Sequence, residues 1–242
     1  MLRQPRMIML LKKLLRRYRK TQRALGHNII TCSYFGVRYR VDLRDIIGYE
    51  IAVRRLESID LTRFMALLRA RRPAIFIDVG ANIGLYACTI AVHSLADRIV
   101  AFEPDPGNFR GLQETIRAND LAGLIEAREA AVGASQGSAM LTLSGTANRG
   151  LSAISPQGSH GVVVTSLDAE LPLRDAVIAL KIDVEGYEPE VLCGAKDLLL
   201  RNSGYVLLEA RGEEALEAAT NAMTKLGWRR IDRHGINVTF EK

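Results

Sequence analysis

From Ala74 onward, short apolar runs alternate with segments of helical spacing. Ile75–Val79 is a compact apolar run, followed by a Gly-containing turn and a helical stretch over Ile83–His93. Arg98–Phe102 reads as a strand, and Pro106, suited to the first turn of a helix, opens one that runs to about Asn119. Leu124–Val132, Ala139–Leu143, Val162–Leu167 and the β-branched Val177–Ile182 follow as strands. A helix over Glu188–Leu200, a strand over Tyr205–Leu208, a helix over Glu213–Leu226 and a strand over Ile236–Phe240 complete the series. Upstream, Ile29–Val41 alternates like a hairpin about Gly36, and Ile51–Leu68 has helical spacing. This alternation predicts an α/β fold: a doubly wound, mostly parallel sheet with helices on both faces. In such sheets a ligand sits outside the carboxyl ends of the strands, where the strand order reverses. Ser144–Gly161 is long for a loop and reads either as a lid or substrate loop or as a plain connector.

The first 26 residues follow a different pattern. On a helical wheel at about 100° per residue, Met7, Ile8, Leu10, Leu11, Leu14, Leu15, Tyr18 and Leu25 share an arc of roughly 160°. Lys12, Lys13, Arg16, Arg17, Arg19, Lys20 and Arg23 take the opposite arc. Residues 1–25 hold nine of the 33 basic residues and no acid, which leaves 24 bases against 27 acids in the remainder. The net charge of +6 therefore belongs to an arm and not to a folded face. The chain divides into a basic amphipathic arm, residues 1–26, and a domain, residues 27–242. Such an arm suits packing on the domain or a second subunit, or peripheral contact of residues 7–25 with an anionic membrane surface. Its longest uncharged run, Met7–Leu11, is far short of the roughly 20 residues of a membrane span. Bases interrupt any signal-peptide core, so the expected location is cytoplasmic, against the inner membrane surface if the arm binds lipid.

The domain shows no basic, aromatic-lined groove, so no nucleic-acid partner is expected. Its chemistry concentrates at three strand ends. In Phe76-Ile77-Asp78-Val79-Gly80-Ala81-Asn82-Ile83-Gly84, the glycines allow close backbone approach, and Asp78 puts a carboxylate beside the turn. That carboxylate would repel a pyrophosphate, and G-x-G-x-x-G is absent, which disfavours an NAD(P)-dependent oxidoreductase. It suits S-adenosylmethionine, which carries an amino group and a sulfonium and no phosphate. Glu103, nineteen residues past Gly84, can accept both hydroxyl protons of a ribose. Lys181-Ile182-Asp183-Val184-Glu185-Gly186-Tyr187-Glu188 follows the most apolar strand, and alternation places Lys181, Asp183 and Glu185 on one side. Charges grouped there are costly to desolvate without a partner or a task. Asp183 is the first choice for a base or sulfonium stabiliser, Glu185 the second, and Lys181 an orienting group. His160 is a further possible base, though a lone loop histidine is usually just solvated. Three scattered cysteines give neither a disulfide framework nor a zinc pattern, and no metal site is expected.

Together these segments, with Val100-Ala101-Phe102-Glu103-Pro104, resemble the FkbM family of methyltransferases over roughly residues 40–242. Weaker matches are Ala131-Val132-Gly133, Ser166-Leu167-Asp168 and Leu207-Leu208-Glu209. The resemblance implies a Rossmann-like, seven-stranded class I sheet whose last strand is antiparallel, with S-adenosylmethionine as cofactor. It implies that Asp78, Gly80, Asn82 and Gly84 line the methionine part, Glu103 the ribose, and Ala131 and Val132 the adenine, with Asp183 also near the cofactor. It further implies O-methylation of a hydroxyl on a sugar, glycolipid or secondary metabolite. A non-catalytic module of the same fold, docking on a membrane or partner, is the alternative.

Overall fold

The computed structural model describes residues 17, 21, 24–54, 58–145 and 149–242. The amphipathic helix expected over Met7–Leu25 falls outside them, apart from residues 17, 21, 24 and 25. The chain enters through an antiparallel hairpin, β1 (Ile29–Tyr34) and β2 (Val37–Asp42). Phe35 and Gly36 both take positive φ at its two-residue turn, the handedness that matches strand twist. A short helix α1 (Ile46–Tyr49) is capped by Asp45, whose side chain accepts from the Gly48 N–H. A π-helical turn (Glu50–Arg54) and α2 (Ser58–Ala70) then occupy the stretch that the spacing reads as one helix.

The expected alternation follows: β3 (Ile75–Val79), α3 (Leu85–Val92), β4 (Arg98–Phe102), α4 (Pro106–Ala118) and β5 (Ile125–Arg128). Next come β6 (Ala131–Val132), β7 (Gly137–Thr142), β8 (Ala153–Ile154), β9 (His160–Thr165) and α5 (Leu167–Glu170). The chain ends with β10 (Val177–Ile182), α6 (Glu188–Cys193), α7 (Lys196–Arg201), β11 (Ser203–Glu209), α8 (Glu213–Lys225), β12 (Arg229–His234) and β13 (Asn237–Glu241).

The main sheet has seven strands in the order β12-β13-β11-β10-β3-β4-β5. The pairs from β11 to β5 are parallel, and β13, the last strand of the chain, runs antiparallel to β11. This is the topology that the resemblance implies. The central strands β3 and β10 are buried almost throughout, which explains why their sequences are continuous apolar runs and not alternations. One face carries the hairpin, α2, α3 and α4 over a core with Tyr39, Phe64, Leu68 and Phe76. The other carries α5 to α8 over a core with Ile77, Phe102, Leu180 and Trp228.

Two departures from the sequence reading have simple causes. The expected helix over Glu188–Leu200 is two helices, broken at Gly194, where a Cβ would meet the Gly133 carbonyl oxygen at 1.9 Å. The expected loop Ser144–Gly161 is partly ordered into a small sheet, order β6-β9-β7-β8, in which β8 pairs with Leu141 and Thr142.

Candidate active site

The strand order reverses between β3 and β10, and the loops leaving those strands meet there. The Asp183 N–H donates to the Val79 carbonyl at 3.1 Å, while the Gly80 and Ala81 N–H groups both donate to the Phe102 carbonyl at 3.0 Å. Gly80 has φ +78°, and a Cβ there would lie 1.9 Å from the Asp183 carbonyl oxygen. Only glycine fits where these two backbones press together. Asn82 follows at φ +52°, and Gly84 at φ +90° lets α3 begin against Leu112 and Cys88.

Glu103 lies at the end of β4 and is 5% exposed. Its two oxygens accept from the Asn82 N–H at 2.7 Å and the Asp105 N–H at 2.9 Å. Burial pushes its carboxyl up to about 7, against those two donors. Both bonds leave lone pairs that can accept from a diol. Asp105 caps α4 through the Gly107 and Asn108 N–H groups, and its second oxygen accepts from the Ser152 hydroxyl at 2.7 Å. The segment after β7 is thereby tied down beside the Glu103 loop.

Asp78 is fully buried. One oxygen accepts from the Ala87 N–H at 2.9 Å, and the other faces the Lys181 ammonium at 3.5 Å without a hydrogen bond. Burial raises its pKa, and Lys181 opposes the rise. Lys181 donates to the Gly80 carbonyl at 2.8 Å, lies 3.3 Å from Asp183 and sits over the Tyr86 ring. Its ammonium thus joins the loops after β3 and β10.

Asp183 follows β10 as Glu209 ends β11, and the register Ile182↔Leu208 sets them side by side. Carboxylate oxygens of Asp183, Glu185 and Glu209 all lie within 4.8 Å of one another. Arg211 threads this group, with Nε 2.9 Å from Glu209 and its terminal nitrogens 2.8 Å from Glu185. Burial works against ionised Asp183, yet Lys181, Glu209 and Arg211 hold its carboxyl below the usual range. Burial and then Asp183 push Glu209 up to about 8. Glu185 is raised by burial against the pull of Arg211.

These groups surround one cavity of about 300 Å³, in the size range of small-molecule sites. Of the residues that the sequence singles out, Gly80, Asn82, Glu103, Ala131, Val132, Lys181, Asp183 and Glu185 line it. Asp78 and Gly84 do not. Asp78 is turned into the core behind the loop, and Gly84 is packed on Leu112 and Cys88. His160 begins β9 opposite Leu141 and is not on the cavity wall. Ile47, Leu151, Tyr187, Glu209 and Arg211 are wall residues that sequence reasoning missed as site residues. Glu209 had a readable signal, an acid ending an apolar strand like Glu103. Ile47 reaches the cavity from the short helix α1 and Leu151 from a single 3-10 turn, and neither carried one.

Residues 78–227 match the Methyltransferase FkbM domain. The chain is 30% identical over 172 residues to the hexuronic acid methyltransferase AglP of Haloferax volcanii, covering 69% of this chain and 64% of that relative's length. Methyltransferase FkbM from Methylobacillus flagellatus KT superposes with a TM-score of 0.55 at 20% identity, over 71% of this chain and 44% of that one. A tRNA m1G37 methyltransferase from M. jannaschii gives 0.52 at 11% identity, over 88% and 56%, and so shares the fold. With the motif loops at the sheet's switch point and the family match spanning most of the domain, the chain belongs to the FkbM methyltransferase family.

Proposed function

We propose that this protein transfers a methyl group from S-adenosylmethionine to a hydroxyl of a sugar, free or carried on a glycan or glycolipid. The observation that carries the reading is the placement of Asp183. It is a carboxylate held ionised beside Lys181, on the wall of the cavity that also holds Glu103. The residues present fit the cofactor. Gly80 lets the backbone come close, Glu103 offers two oxygens for a ribose diol, and the Ala131–Val132 edge offers an apolar wall. Bound there, the cofactor supplies an electrophilic methyl on a sulfonium. The protein's own share is alignment and charge. Asp183 accepts the acceptor's hydroxyl proton, Lys181 fixes the orientation of Asp183, and Glu103 anchors the nucleoside. The relative that acts on hexuronic acid supports a sugar acceptor, and an oxidoreductase reading finds no support.

The catalytic unit is residues 27–242, since β1 starts at Ile29 after a turn at Leu25 and Gly26. The residue pattern of the arm, residues 1–26, suits either packing on the domain or a second subunit or contact with an anionic surface. Among the described residues no helix is long and apolar enough to cross a membrane. Surface contact predicts that deleting residues 1–25 abolishes partitioning onto anionic liposomes, and unchanged partitioning would remove that reading.

The deciding experiment is calorimetric titration with S-adenosylmethionine, followed by labelled-methyl transfer to a panel of sugars. Wild type should bind the cofactor, and Glu103→Ala should weaken binding by at least about tenfold, the loss of one charged hydrogen-bond pair. Intact fold with no binding, or binding with no sugar labelled, would overturn the respective half of the reading.

A further inference from the structure

Asp183, Glu185 and Glu209 crowd one end of the cavity with Asp78 buried behind it, and the two cations Lys181 and Arg211 face them. Lys181 is engaged by Asp78, Asp183 and the Gly80 carbonyl. Arg211 divides its guanidinium between Glu185 and Glu209. The β10–β11 register sets Asp183 and Glu209 side by side, with carboxylate oxygens within 4.8 Å of each other, while each is paired to a different cation, Asp183 to Lys181 and Glu209 to Arg211. Glu209 is only 6% exposed, so water cannot screen a second negative charge there. Two carboxyl groups in hydrogen-bonding contact and short of counter-charge lower their energy by sharing one proton.

We propose that Asp183 and Glu209 form an acid–carboxylate pair in which Glu209 keeps the proton and hydrogen-bonds to Asp183, leaving Asp183 as the base that receives the acceptor's hydroxyl proton. The proposal rests on the methyl-transfer reading above, and it adds a positioning residue to it. In the step, the acceptor oxygen bonds to the methyl carbon as the methyl–sulfur bond breaks. That bond's electron pair stays on sulfur, and the hydroxyl proton passes to an Asp183 oxygen. Glu209, already protonated, cannot take that proton, so it fixes which carboxylate acts and how it points. Lys181 favours the charge on Asp183, while burial favours the proton on Glu209. The other groups around Glu209 are Arg211 and Glu185 on the loops, and Asn237 opposite it on β13. Asp60 and His234, paired at 2.8 Å, adjoin Asn237.

Glutamine mimics a protonated glutamic acid, so Glu209→Gln separates this role from a structural one. Two readouts on the full-length protein test it. Isotope-edited NMR of the carboxyl groups in the resting protein needs no acceptor. It should show Glu209 titrating near 8 in wild type and at lower pH in Asp183→Asn. In the methylation assay, Asp183→Asn should lose roughly 10²–10⁴-fold in kcat, while Glu209→Gln loses less than about tenfold and Glu209→Ala falls towards Asp183→Asn. Wild-type kcat should decline as Glu209 ionises, and Glu209→Gln should lack that alkaline limb. Glu209 titrating with ordinary glutamates, or Glu209→Gln falling as far as Asp183→Asn, would overturn the pair. A shared titration without methylation of any sugar would instead leave the pair standing and defeat the acceptor reading.

Discussion

Asp78 and Lys181 are deeply buried, at 0% and 6% exposure, and neither could stand alone there. Removing one partner of a buried pair usually costs about 3–5 kcal/mol, because the survivor is stranded. In Asp78→Ala, however, Lys181 keeps Asp183 at 3.3 Å and the Gly80 carbonyl at 2.8 Å. The loss should therefore fall near the lower end, roughly 3 kcal/mol, read as a lowered urea midpoint without ligand. Cofactor binding should weaken as well, since the loop holding Gly80 loses its tie to α3 through the Ala87 N–H. Unchanged stability with lost binding would mean that Asp78 touches the cofactor directly, contrary to its burial. The sequence marked Asp78 as important, but it could not say which way the side chain turns. A strand-end carboxylate can face a cleft or the core. Burial of Lys181 behind Tyr86 settles the direction, and that depends on a residue about a hundred positions away.

At the scale of elements, strands buried on both faces were the most legible, because an apolar run such as Ile75–Val79 or Val177–Ile182 suits little else. β12 was missed for the opposite reason. Arg229-Arg230-Ile231-Asp232-Arg233-His234 is nearly all charged, as befits an edge strand that must discourage further pairing. The segment after β7 was half legible: its length suggested function, but not its order. Ser152 there donates to Asp105 at 2.7 Å, while Gly150 and Leu151 line the cavity. A hydrogen bond to a charged group is worth about 1.5–3 kcal/mol, although this one holds a surface segment and not the core. Ser152→Ala should therefore leave the melting temperature nearly unchanged and speed cofactor dissociation by about tenfold, as 1.4 kcal/mol implies. Stopped-flow displacement would measure this. An unchanged off-rate would show that the segment does not restrain the ligand. Asp168, part of a family-like motif, has a structural task instead. It accepts from the Asp197 and Leu198 N–H groups at 3.0 and 2.8 Å and so caps α7.

For the whole molecule, the fold followed from apolar periodicity, while the site depends on acids whose energies only the assembled structure sets. That assembly has a consequence for stability against pH. Glu103 is held at about 7 by burial, and Glu209 at about 8 by burial and Asp183. Once unfolded, both return to the ordinary glutamate range near 4.5. Between these limits the folded chain binds more protons than the unfolded one, so stability falls as pH rises. Carboxyls lowered by arginines, such as Glu126 beside Arg98 and Arg128 and Glu213 beside Arg233, have the opposite sign. Their contribution is complete above the unfolded value, so it is already constant in the upper window. The ligand-free protein should accordingly be more stable at about pH 5.5 than at about pH 8.5, with the loss accumulating as pH rises towards the folded values of Glu103 and Glu209 and levelling off once both have ionised. Urea unfolding at several pH values would show it. Glu103→Gln and Glu209→Gln should each flatten part of the slope, and the double variant most of it. A midpoint constant across the window would mean that both carboxyls are already ionised in the fold. Bound cofactor should reduce the slope, because a ribose diol hydrogen-bonds best to ionised Glu103 and its affinity then rises with pH over the same range.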